Sequence, residues 1–490
     1  MVLVRSLLLG SAAGIAAVAG AQAADLPAKT AAPVEYVRVC TTYGAGFFYV
    51  PGTDSCLRIG ARVRADYLYV EPFTRGQDIT GFRARGRVNI DHRTMTAYGQ
   101  LRAYIRYEID RNSGVFNGNG QVSTNPKIRQ AFVQFGGLTA GRALSFFSEP
   151  DLPVPNFGDL RFDDPSNADT NLLAYTFSFG NGFSATLSLE DGIERRVNNN
   201  LAFPLFGSGT TSPFFPPIPY TYGGQRIPDV VANLRYKGTW GGAQLSGALH
   251  QIRDVTAGLT TVNGVTVPVL NPITGLPNPT SADTDYGFAV ALSGYTNLSF
   301  LGQGDTAWVS ATYTNGAVAY LNAGVTGPIG APASGEGTIG AGPLSLPFSD
   351  ASVDPFTGEF KTNRAYAIAG GVNHNWSPTW QTNVFGSWMR FDAPGGAEYT
   401  VPVTAETLAV GTAGTVTGIV DFNEYRIGTN TIWTPVKDLQ LGVEVLYIKV
   451  DPRGRVAVPF TTAAGEPTGT FRSTGSEDTW EARLRVQRDF

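Results

Sequence analysis

Cysteine, histidine and methionine are scarce in this chain of 490 residues, which contains two, three and three of them, respectively. The histidines, His92, His250 and His374, are far apart in the sequence, and the two cysteines do not form a Cys-x-x-Cys pair. Without clustered nitrogen or sulfur ligands, a zinc or iron site would lack its usual donors. We therefore expect neither a metal nor a cofactor.

Catalytic motifs are also missing. The chain has no Gly-x-Ser-x-Gly motif, no His-Glu-x-x-His motif and no phosphate-binding loop. A hydrolase that used serine or aspartate would need a histidine beside it, and the three isolated histidines are more typical of structural residues. The sequence therefore predicts that the protein is not an enzyme.

After the first two dozen residues, no apolar run is long enough for a membrane helix. An excess of one charge is missing too: 36 basic and 40 acidic residues give a formal net charge of −4, which disfavours a nucleic-acid partner. The mean hydropathy is −0.05, a value that a soluble protein could have. It is equally expected where lipid-facing and water-facing residues alternate and cancel.

Residues 1–23 are predicted to be a secretory signal peptide. Arg5 supplies a positively charged start, residues 7–18 are apolar, and Ala21–Ala23 has the small-x-small form of a cleavage site. A membrane helix is the alternative, but the apolar stretch is short and no stop-transfer pattern follows it. The signal predicts export through an oxidising compartment.

Export bears on the two cysteines, which lie in a Pro- and Gly-rich lead-in at residues 24–56. An exported chain with an even number of cysteines usually pairs them, so we expect a disulfide between Cys40 and Cys56. Two free thiols are the alternative. We expect the lead-in to be periplasmic.

From residue 57 onward, apolar and polar side chains alternate with the period of a β-strand. In the final strand the even positions from Trp480 to Phe490 are mostly apolar, whereas the odd positions from Glu481 to Asp489 are charged or polar. Helical spacing does not explain an alternation that is sustained and repeated. Sixteen strands are predicted, at about 57–69, 81–93, 95–108, 127–136, 138–146, 171–179, 183–190, 229–237, 242–252, 285–295, 305–313, 364–374, 380–391, 422–433, 439–450 and 479–490.

The connections between these strands alternate between short and long. The long ones are rich in Gly, Pro, Thr, Ser and Asn, and one of them, at about 314–363, is hard to place inside a compact soluble domain. Outer-membrane barrels have short periplasmic turns and long extracellular loops. The predicted fold is therefore all-β, a transmembrane antiparallel β-barrel of sixteen strands over residues 57–490. Sixteen strands leave an aqueous channel rather than a packed interior.

Arginine dominates the polar faces of the first three predicted strands and of the last one. A closed barrel places the last strand beside the first, so these arginines would form one basic wall facing the channel. They are Arg58, Arg62, Arg64, Arg83, Arg85, Arg87, Arg102, Arg106, Arg483 and Arg485. Arginine stays charged and repels its neighbours unless it is solvated or opposed. The alternative is that these residues are merely solvated or salt-bridged and stiffen the wall.

The third long connection, at about 147–170, carries charges of the opposite sign. Its acidic residues include Glu149, Asp151, Asp159, Asp163 and Asp164. A basic wall facing an acidic loop would create a transverse field that filters polar solutes by charge and size. A solvated surface or a calcium site is the alternative interpretation of such a loop.

Several segments carry motifs that are not common by chance. The segment from Ala24 to Tyr67 contains Ala-Asp-Leu-Pro, then Val-Glu-Tyr-Val-Arg-Val-Cys, and then Phe-Phe-Tyr-Val-Pro-Gly-Thr-Asp-Ser-Cys-Leu-Arg-Ile-Gly. This segment closely resembles the general porins of alphaproteobacterial outer membranes. The segment from Arg129 to Gly137, the residues Thr139–Arg142 and the terminal Phe490 look like the same family. The long loops carry no motif that would define a solute preference.

This resemblance implies a homotrimer of sixteen-stranded barrels through which small hydrophilic solutes diffuse passively. It implies that the two cysteines are the family's paired positions and that the loop at 147–170 folds into the barrel and narrows it. It also implies that Phe490 is the signal read by the barrel-assembly machinery. The other expected partners are outer-membrane lipid and lipopolysaccharide.

Two other functions are compatible with the sequence. One is a substrate-selective channel for sugars or organic anions, in which aromatic residues would stack on the solute. Most aromatic residues near the strand ends, such as Trp240, Trp380 and Trp433, are instead typical of girdles at the membrane interfaces. The other is a surface adhesin or structural barrel whose outer loops bind a partner.

Overall fold

The computed structural model describes residues 38–72, 75–117, 120–197, 223–257, 259–262, 265–268, 279–322, 338–341, 344–353, 360–394, 398–400, 416–418, 420–461 and 467–490. The predicted signal peptide and the start of the lead-in lie outside the described residues. The chain forms two compact units, Met1–Cys56 and Leu57–Phe490. Among the described residues, no helix has the length and the apolar character needed to cross a membrane.

The described part of the first unit is held together by a few backbone hydrogen bonds and a disulfide. Cys40 and Cys56 are bonded, with their Cα atoms 6.1 Å apart, which confirms the predicted pairing. The Cys40 amide donates to the Phe47 carbonyl at 2.9 Å, and the Tyr49 amide donates to the Arg38 carbonyl at 2.8 Å. Both cysteines and Phe47 are fully buried, so the disulfide forms the centre of a very small apolar cluster.

The second unit contains sixteen long strands, each paired antiparallel with the next. They are β1 Cys56–Val70, β2 Thr80–Thr96, β3 Gly99–Ser113, β4 Val122–Phe135, β5 Leu138–Leu144, β6 Asp169–Gly180, β7 Phe183–Glu190, β8 Asp229–Lys237, β9 Gly241–Ala257, β10 Pro279–Asn297, β11 Thr306–Asn315, β12 Arg364–Ser377, β13 Trp380–Asp392, β14 Phe422–Val436, β15 Leu439–Pro452 and β16 Glu477–Asp489. Strand β16 pairs with β1 from Arg62↔Asp489 to Val70↔Glu481. The ring is therefore closed, and the predicted barrel of sixteen strands is confirmed.

The outer face of the barrel is apolar and exposed. Ile59 and Val63 on β1, Phe82 on β2 and Ile105 on β3 are each about half exposed or more, although they are large hydrophobic residues. Such a continuous apolar surface requires an apolar solvent, because monomeric soluble proteins rarely expose large apolar patches. Trp380 and Trp433 stack on this face with ring centroids 5.7 Å apart, as expected of an interface girdle.

Tight turns join the strands at one end of the barrel, where the chain needs left-handed backbone. Asn181, between β6 and β7, has φ = 51°, and Asp438, between β14 and β15, has φ = 64°. Asn and Asp tolerate this conformation better than other residues with a side chain, because their short polar groups bond locally. The eight connections at the other end are longer than these turns, as the sequence predicts. The connection between β10 and β11, residues 298–305, is the longest at the short-turn end.

The long loops add short strands that periodicity did not predict. Two-stranded pairs form between Leu259–Val262 and Val265–Pro268, Thr338–Ala341 and Leu344–Pro347, and Ala351–Val353 and Phe360–Thr362. A four-stranded sheet combines Glu398–Thr400, Val416–Gly418, Val456–Thr461 and Pro467–Thr474. Segments of three to eight residues are too short to give a clear alternation.

Part of the barrel interior is packed, which corrects the expectation of a wholly aqueous channel. Inward residues of β11–β15, among them Trp308, Met389 and Ile448, form one buried cluster with apolar residues from the loops, such as Phe162 and Phe348. Loop side chains fill this side as they would fill a globular core. Any passage for water must therefore run along the rest of the ring.

Candidate functional site

The predicted arginine residues lie on the inward faces of four neighbouring strands. We call them the arginine wall: Arg58, Arg62 and Arg64 on β1, Arg83, Arg85 and Arg87 on β2, Arg102 and Arg106 on β3, and Arg483 and Arg485 on β16. Alternation places them inside, since their sequence neighbours Ile59, Val63 and Leu484 are exposed on the outer face. Strand β16 completes the wall only because the barrel closes between β16 and β1.

Half of these arginines bond carboxylates on the same wall. Register sets the partner, because antiparallel pairing places an acidic residue opposite or diagonal to each one. The pairs are Arg62–Asp489 at 2.5 Å, Arg85–Asp110 at 2.6 Å, Arg87–Glu108, Arg102–Asp91 at 2.9 Å and Arg485–Asp66 at 2.6 Å. These five guanidinium groups are thus held in fixed positions by ion pairs within the wall.

Three other wall arginines are held by amide oxygens. Arg64 Nε donates to Gln487 Oε1 at 2.9 Å, Arg83 Nε donates to Asn112 Oδ1 at 2.9 Å, and Arg106 Nε donates to Asn89 Oδ1 at 3.1 Å. An amide orients a guanidinium group without cancelling its charge. The wall is therefore both ordered and positively charged.

The connection between β5 and β6, residues 145–168, crosses the inside of the ring, and we call it the inner loop. It begins against the inward side chains of β8 and β9, where the Phe146 carbonyl accepts from Asn233 Nδ2 at 2.6 Å and from Gln244 Nε2 at 3.2 Å. Its tip reaches β15, where Glu444 accepts from the backbone amides of Phe157 at 2.5 Å and Gly158 at 2.6 Å. Only a segment inside the barrel can reach inward residues on such distant strands.

The return half of the inner loop is fixed to the packed side of the barrel. Arg161 Nε donates to Glu424 Oε2 on β14 at 2.5 Å, and Phe162 packs against Trp308 with ring centroids 5.0 Å apart. Both Arg161 and Phe162 are fully buried. The inner loop therefore covers the inward faces of β8 and β13–β15.

At its tip the inner loop touches the arginine wall through backbone and aromatic groups. The Phe157 carbonyl accepts a hydrogen bond from Arg483, and the Arg485 guanidinium lies 4.2 Å from the centroid of the Phe157 ring. A cation over an aromatic face is attracted by the ring quadrupole. The contact joins the loop to the β16 edge of the wall.

In the part of the chain that the structure describes, no acidic side chain of the inner loop bonds to the arginine wall, whereas the sequence led us to expect a basic wall facing an acidic loop. Glu149 pairs with Arg235 on β8 at 2.8 Å, and Asp151 pairs with Arg235 at 2.6 Å and with Lys237 at 2.5 Å. These basic residues were not singled out in the sequence, although Arg235 alternates with the exposed Leu234 and so has an inward signature.

The remaining acidic residues of the loop also have other partners. Asp163 pairs with Arg195 at 2.8 Å, and Asp164 accepts from the Ser166 amide at 2.7 Å. Asp159 contributes its backbone carbonyl, which accepts from Arg426 at 2.6 Å. Asp163 and Asp164 are buried, because the apolar packing around Phe162 encloses this part of the loop.

Two loop carboxyl groups respond differently to this environment. Burial alone would raise the pKa of Asp151, but the hydrogen bond from Lys237 and the charge of Arg235 outweigh it and lower the pKa. Burial raises the pKa of Asp164 to about 6, although hydrogen bonds from Ser166 oppose the shift. Asp151 therefore carries a secure negative charge at neutral pH, whereas Asp164 is ionised at a cost.

The arrangement leaves open space between the inner loop and the arginine wall. Below the start of the loop lies a cavity of about 480 Å³, lined by residues of β1 and β3–β9, among them Arg58, Arg106 and Arg235. Among the described residues, no group of three or more His, Cys, Asp or Glu side chains could hold a metal ion. A solute in this space would therefore meet charged side chains and the shape of the cavity.

The sequence is similar to known outer-membrane proteins. The family description that matches it, over residues 25–481, is "Porin subfamily". Porin Omp2b of Brucella suis biovar 1 and Porin Omp2b of Brucella melitensis biotype 1 are each 37% identical to it over 248 residues, which is 49% of this chain. That match spans 63% of the length of these curated relatives.

The fold is also found among solved structures. The outer membrane channel DcaP of Acinetobacter baumannii superposes with a TM-score of 0.56 at 14% identity, covering 90% of this chain and 99% of DcaP. At that identity the likeness concerns the barrel architecture alone.

Family and fold agree on where the protein resides. The family match runs through nearly all of the closed barrel, whose outer face is apolar and bears aromatic girdles. Such a barrel lies in the outer membrane of a Gram-negative cell and crosses it many times. The chain belongs to the porin subfamily.

Proposed function

We propose that the protein forms a water-filled channel through the outer membrane, through which small hydrophilic solutes and ions diffuse passively. The observation that carries this proposal is the arginine wall, which faces open space inside a closed ring of sixteen strands. Charged groups at such a density need water, because an uncompensated buried charge is very costly. Family membership favours a channel over an enzyme.

We also propose that the arginine wall and the inner loop together form the constriction. Glu149, Asp151 and Asp163 of the loop are paired with Arg235, Lys237 and Arg195, so these three carboxylates add little negative charge on the side of the wall. The passing solute would therefore meet an excess of positive charge. This arrangement supports a preference for anions, whereas carboxylates facing the wall would have supported a balanced transverse field.

The surroundings of the barrel follow from the same proposal. The exposed apolar face fits outer-membrane lipid, with lipopolysaccharide at the long-loop end. Phe490, whose amide donates to the Ala61 carbonyl at 3.0 Å, would be recognised by the barrel-assembly machinery before the ring closes. A homotrimer is the assembly that the family resemblance implies.

Planar-bilayer recording of the purified full-length chain tests the function. We expect stepwise increases in conductance, in multiples of three if the trimer inserts as a unit, and a reversal potential of anion-selective sign in a KCl gradient. Heat-denatured protein is the control. A native preparation that leaves the bilayer electrically silent would contradict the channel, and a cation-selective reversal potential would contradict the constriction.

A further inference from the structure

The cavity below the inner loop has the size of a small-molecule site. Its volume of about 480 Å³ lies between the first residues of the loop, Ser145–Pro150, and the inward faces of the strands on the short-turn side. Pockets that hold small organic molecules begin at roughly 300 Å³. The loop borders the cavity on one side, so a solute on the proposed path would pass through it.

The charged side chains that line this cavity are all basic. Four arginines line it, Arg58, Arg102, Arg106 and Arg235, and of the described residues that line it none is acidic. Arg235 is paired with Glu149 and Asp151 of the inner loop. The carboxylate beside Arg102 is shared, because Asp91 accepts from Arg102 at 2.9 Å and from Arg93 at 2.8 Å. One negative charge is thus divided between two guanidinium groups.

Arg106 is a wall arginine that lines the cavity and is held by neutral groups. Its Nε donates to Asn89 Oδ1 at 3.1 Å, and its Nη2 donates to the Tyr104 hydroxyl at 3.0 Å. Both partners are neutral, so they fix the plane of the guanidinium group and leave its charge in place. A planar, oriented guanidinium is the preferred partner of a carboxylate, which it can bind through two hydrogen bonds.

Aromatic rings lie next to these charges. The Tyr104 and Phe132 centroids are 5.2 Å apart, and the Arg102 guanidinium lies 4.9 Å from the first and 5.4 Å from the second. Phe132 and Phe146 both line the cavity. A small inorganic anion makes no favourable apolar contact with such rings, whereas the flat apolar body of an organic solute is stabilised by packing against them.

We propose that this cavity is a transient binding site for small organic carboxylates, with the carboxylate on Arg106 and Arg102 and the apolar body against Phe132 and Phe146. The proposal rests on the proposed channel function and adds a solute class to it. Binding must remain weak, because a channel site has to release its solute as readily as it captures it.

Benzoate block of the single-channel current tests the proposal on the full-length protein. Benzoate added to one side of the bilayer should reduce the current in a saturable way, and neutral benzamide at the same concentration should not. Arg106→Gln should raise the half-blocking concentration of benzoate about tenfold, the effect of losing one charge-assisted contact. Each block is expressed relative to the open current of the same variant.

Arg111→Gln is the matched control, since Arg111 lies on the same strand but on the outer face, where it bonds Thr124 at 2.9 Å. It should leave the block unchanged. Equal block of wild type and Arg106→Gln, or equal block by benzoate and benzamide, would overturn the site while leaving the channel intact. The benzamide comparison needs no variant, so the test survives if Arg106→Gln fails to assemble. A silent wild-type protein would overturn the channel function and the site together.

Discussion

The two halves of the barrel interior differ in how much of the space inside the ring is filled by loop side chains. On the side of β11–β15, loop residues such as Phe162 and Phe348 fill the interior and form a buried apolar cluster with the strands. On the side of β1–β3 and β16, the inward faces carry the ten arginines of the arginine wall, and the tip of the loop contacts two of them, Arg483 and Arg485. One half resembles a globular core and the other a wetted surface.

The difference shows that the sequence of each strand decides where the channel can be. Apolar inward residues on β13–β15 attract the inner loop because burying them releases water. Arginines cannot be covered in that way unless each is fully paired, and three of them are held by neutral amide oxygens rather than by carboxylates. The passage is therefore displaced toward the arginine wall, and the following predictions test that contrast from the largest expected effect to the smallest.

Replacing Arg83, Arg85 and Arg87 with Gln should make the open half much less basic. Glu108 and Asp110 would lose their strongest partners, so the reversal potential should move toward cation preference and the conductance should rise. One unit charge at about 4 Å is worth about 1 kcal/mol in water, so we expect the permeability ratio to change about fivefold or more. Arg111→Gln on the outer face is the control, and an unchanged ratio would remove this wall from the constriction.

Phe162→Ala should destabilise the packed half without changing its charge. Phe162 is fully buried against Trp308, and truncating a buried phenylalanine costs about 3–5 kcal/mol. We expect a lower temperature for the loss of folded barrel in detergent, followed by circular dichroism. Phe300→Ala, in the exposed turn after β10, is the matched control, and similar melting of both variants would show that the cluster does not support the fold.

Glu444→Ala should release the tip of the inner loop. It would leave the amides of Phe157 and Gly158 without their acceptor, at a cost of about 1–3 kcal/mol for each buried donor. We expect larger fluctuations of the open-channel current. Glu194→Ala, at an exposed ion pair with Arg142, is the control. If the current fluctuations of both variants equal those of wild type, other contacts hold the tip of the loop.

Asp164→Asn should stabilise the loop in a pH-dependent way. Because burial raises the pKa of Asp164 to about 6, above its value of about 3.9 in unfolded chains, the folded state loses stability as the pH rises between these values. The penalty is complete above the folded pKa and absent below the unfolded one. Asparagine keeps the acceptor for the Ser166 amide and carries no charge.

We therefore expect Asp164→Asn to melt at a higher temperature than wild type at pH 8, by an amount equivalent to at most about 3 kcal/mol. At pH 4 the two proteins should melt within a degree or so of each other. A difference of the same size at both pH values would mean that the substitution acts through packing.

Strands and faces could be predicted from the sequence because alternation is local. Ile59 and Val63 lie outside while Arg62 and Arg64 lie inside, as the period of two requires. The strand limits differ mainly at the long-loop ends, as at β9, where the structure continues to Ala257. Backbone pairing with β10 continues past the residues whose hydrophobicity alternates, so the strand is longer than the pattern predicts.

Partners across space could not be predicted in the same way. The sequence pointed to the loop carboxylates and to the arginine wall, but the path of the loop depends on the apolar contacts of Phe162 and on Glu444 at its tip. Those contacts bring Glu149 and Asp151 to Arg235 on β8. The sequence pattern therefore predicts which charge each strand face carries, but it does not predict which loop or strand that face contacts.

The seam between β1 and β16 joins residues that are 427 positions apart in the chain, Arg62 and Asp489. Translation and export must therefore extend through β16 before the ring can close. Until then β1 and β16 each have an edge of unpaired backbone groups that can pair with other chains and cause aggregation, so a chaperone or insertase has to shield them. A nonsense mutation within the codons of β16 would thus be far more damaging than its small loss of mass suggests.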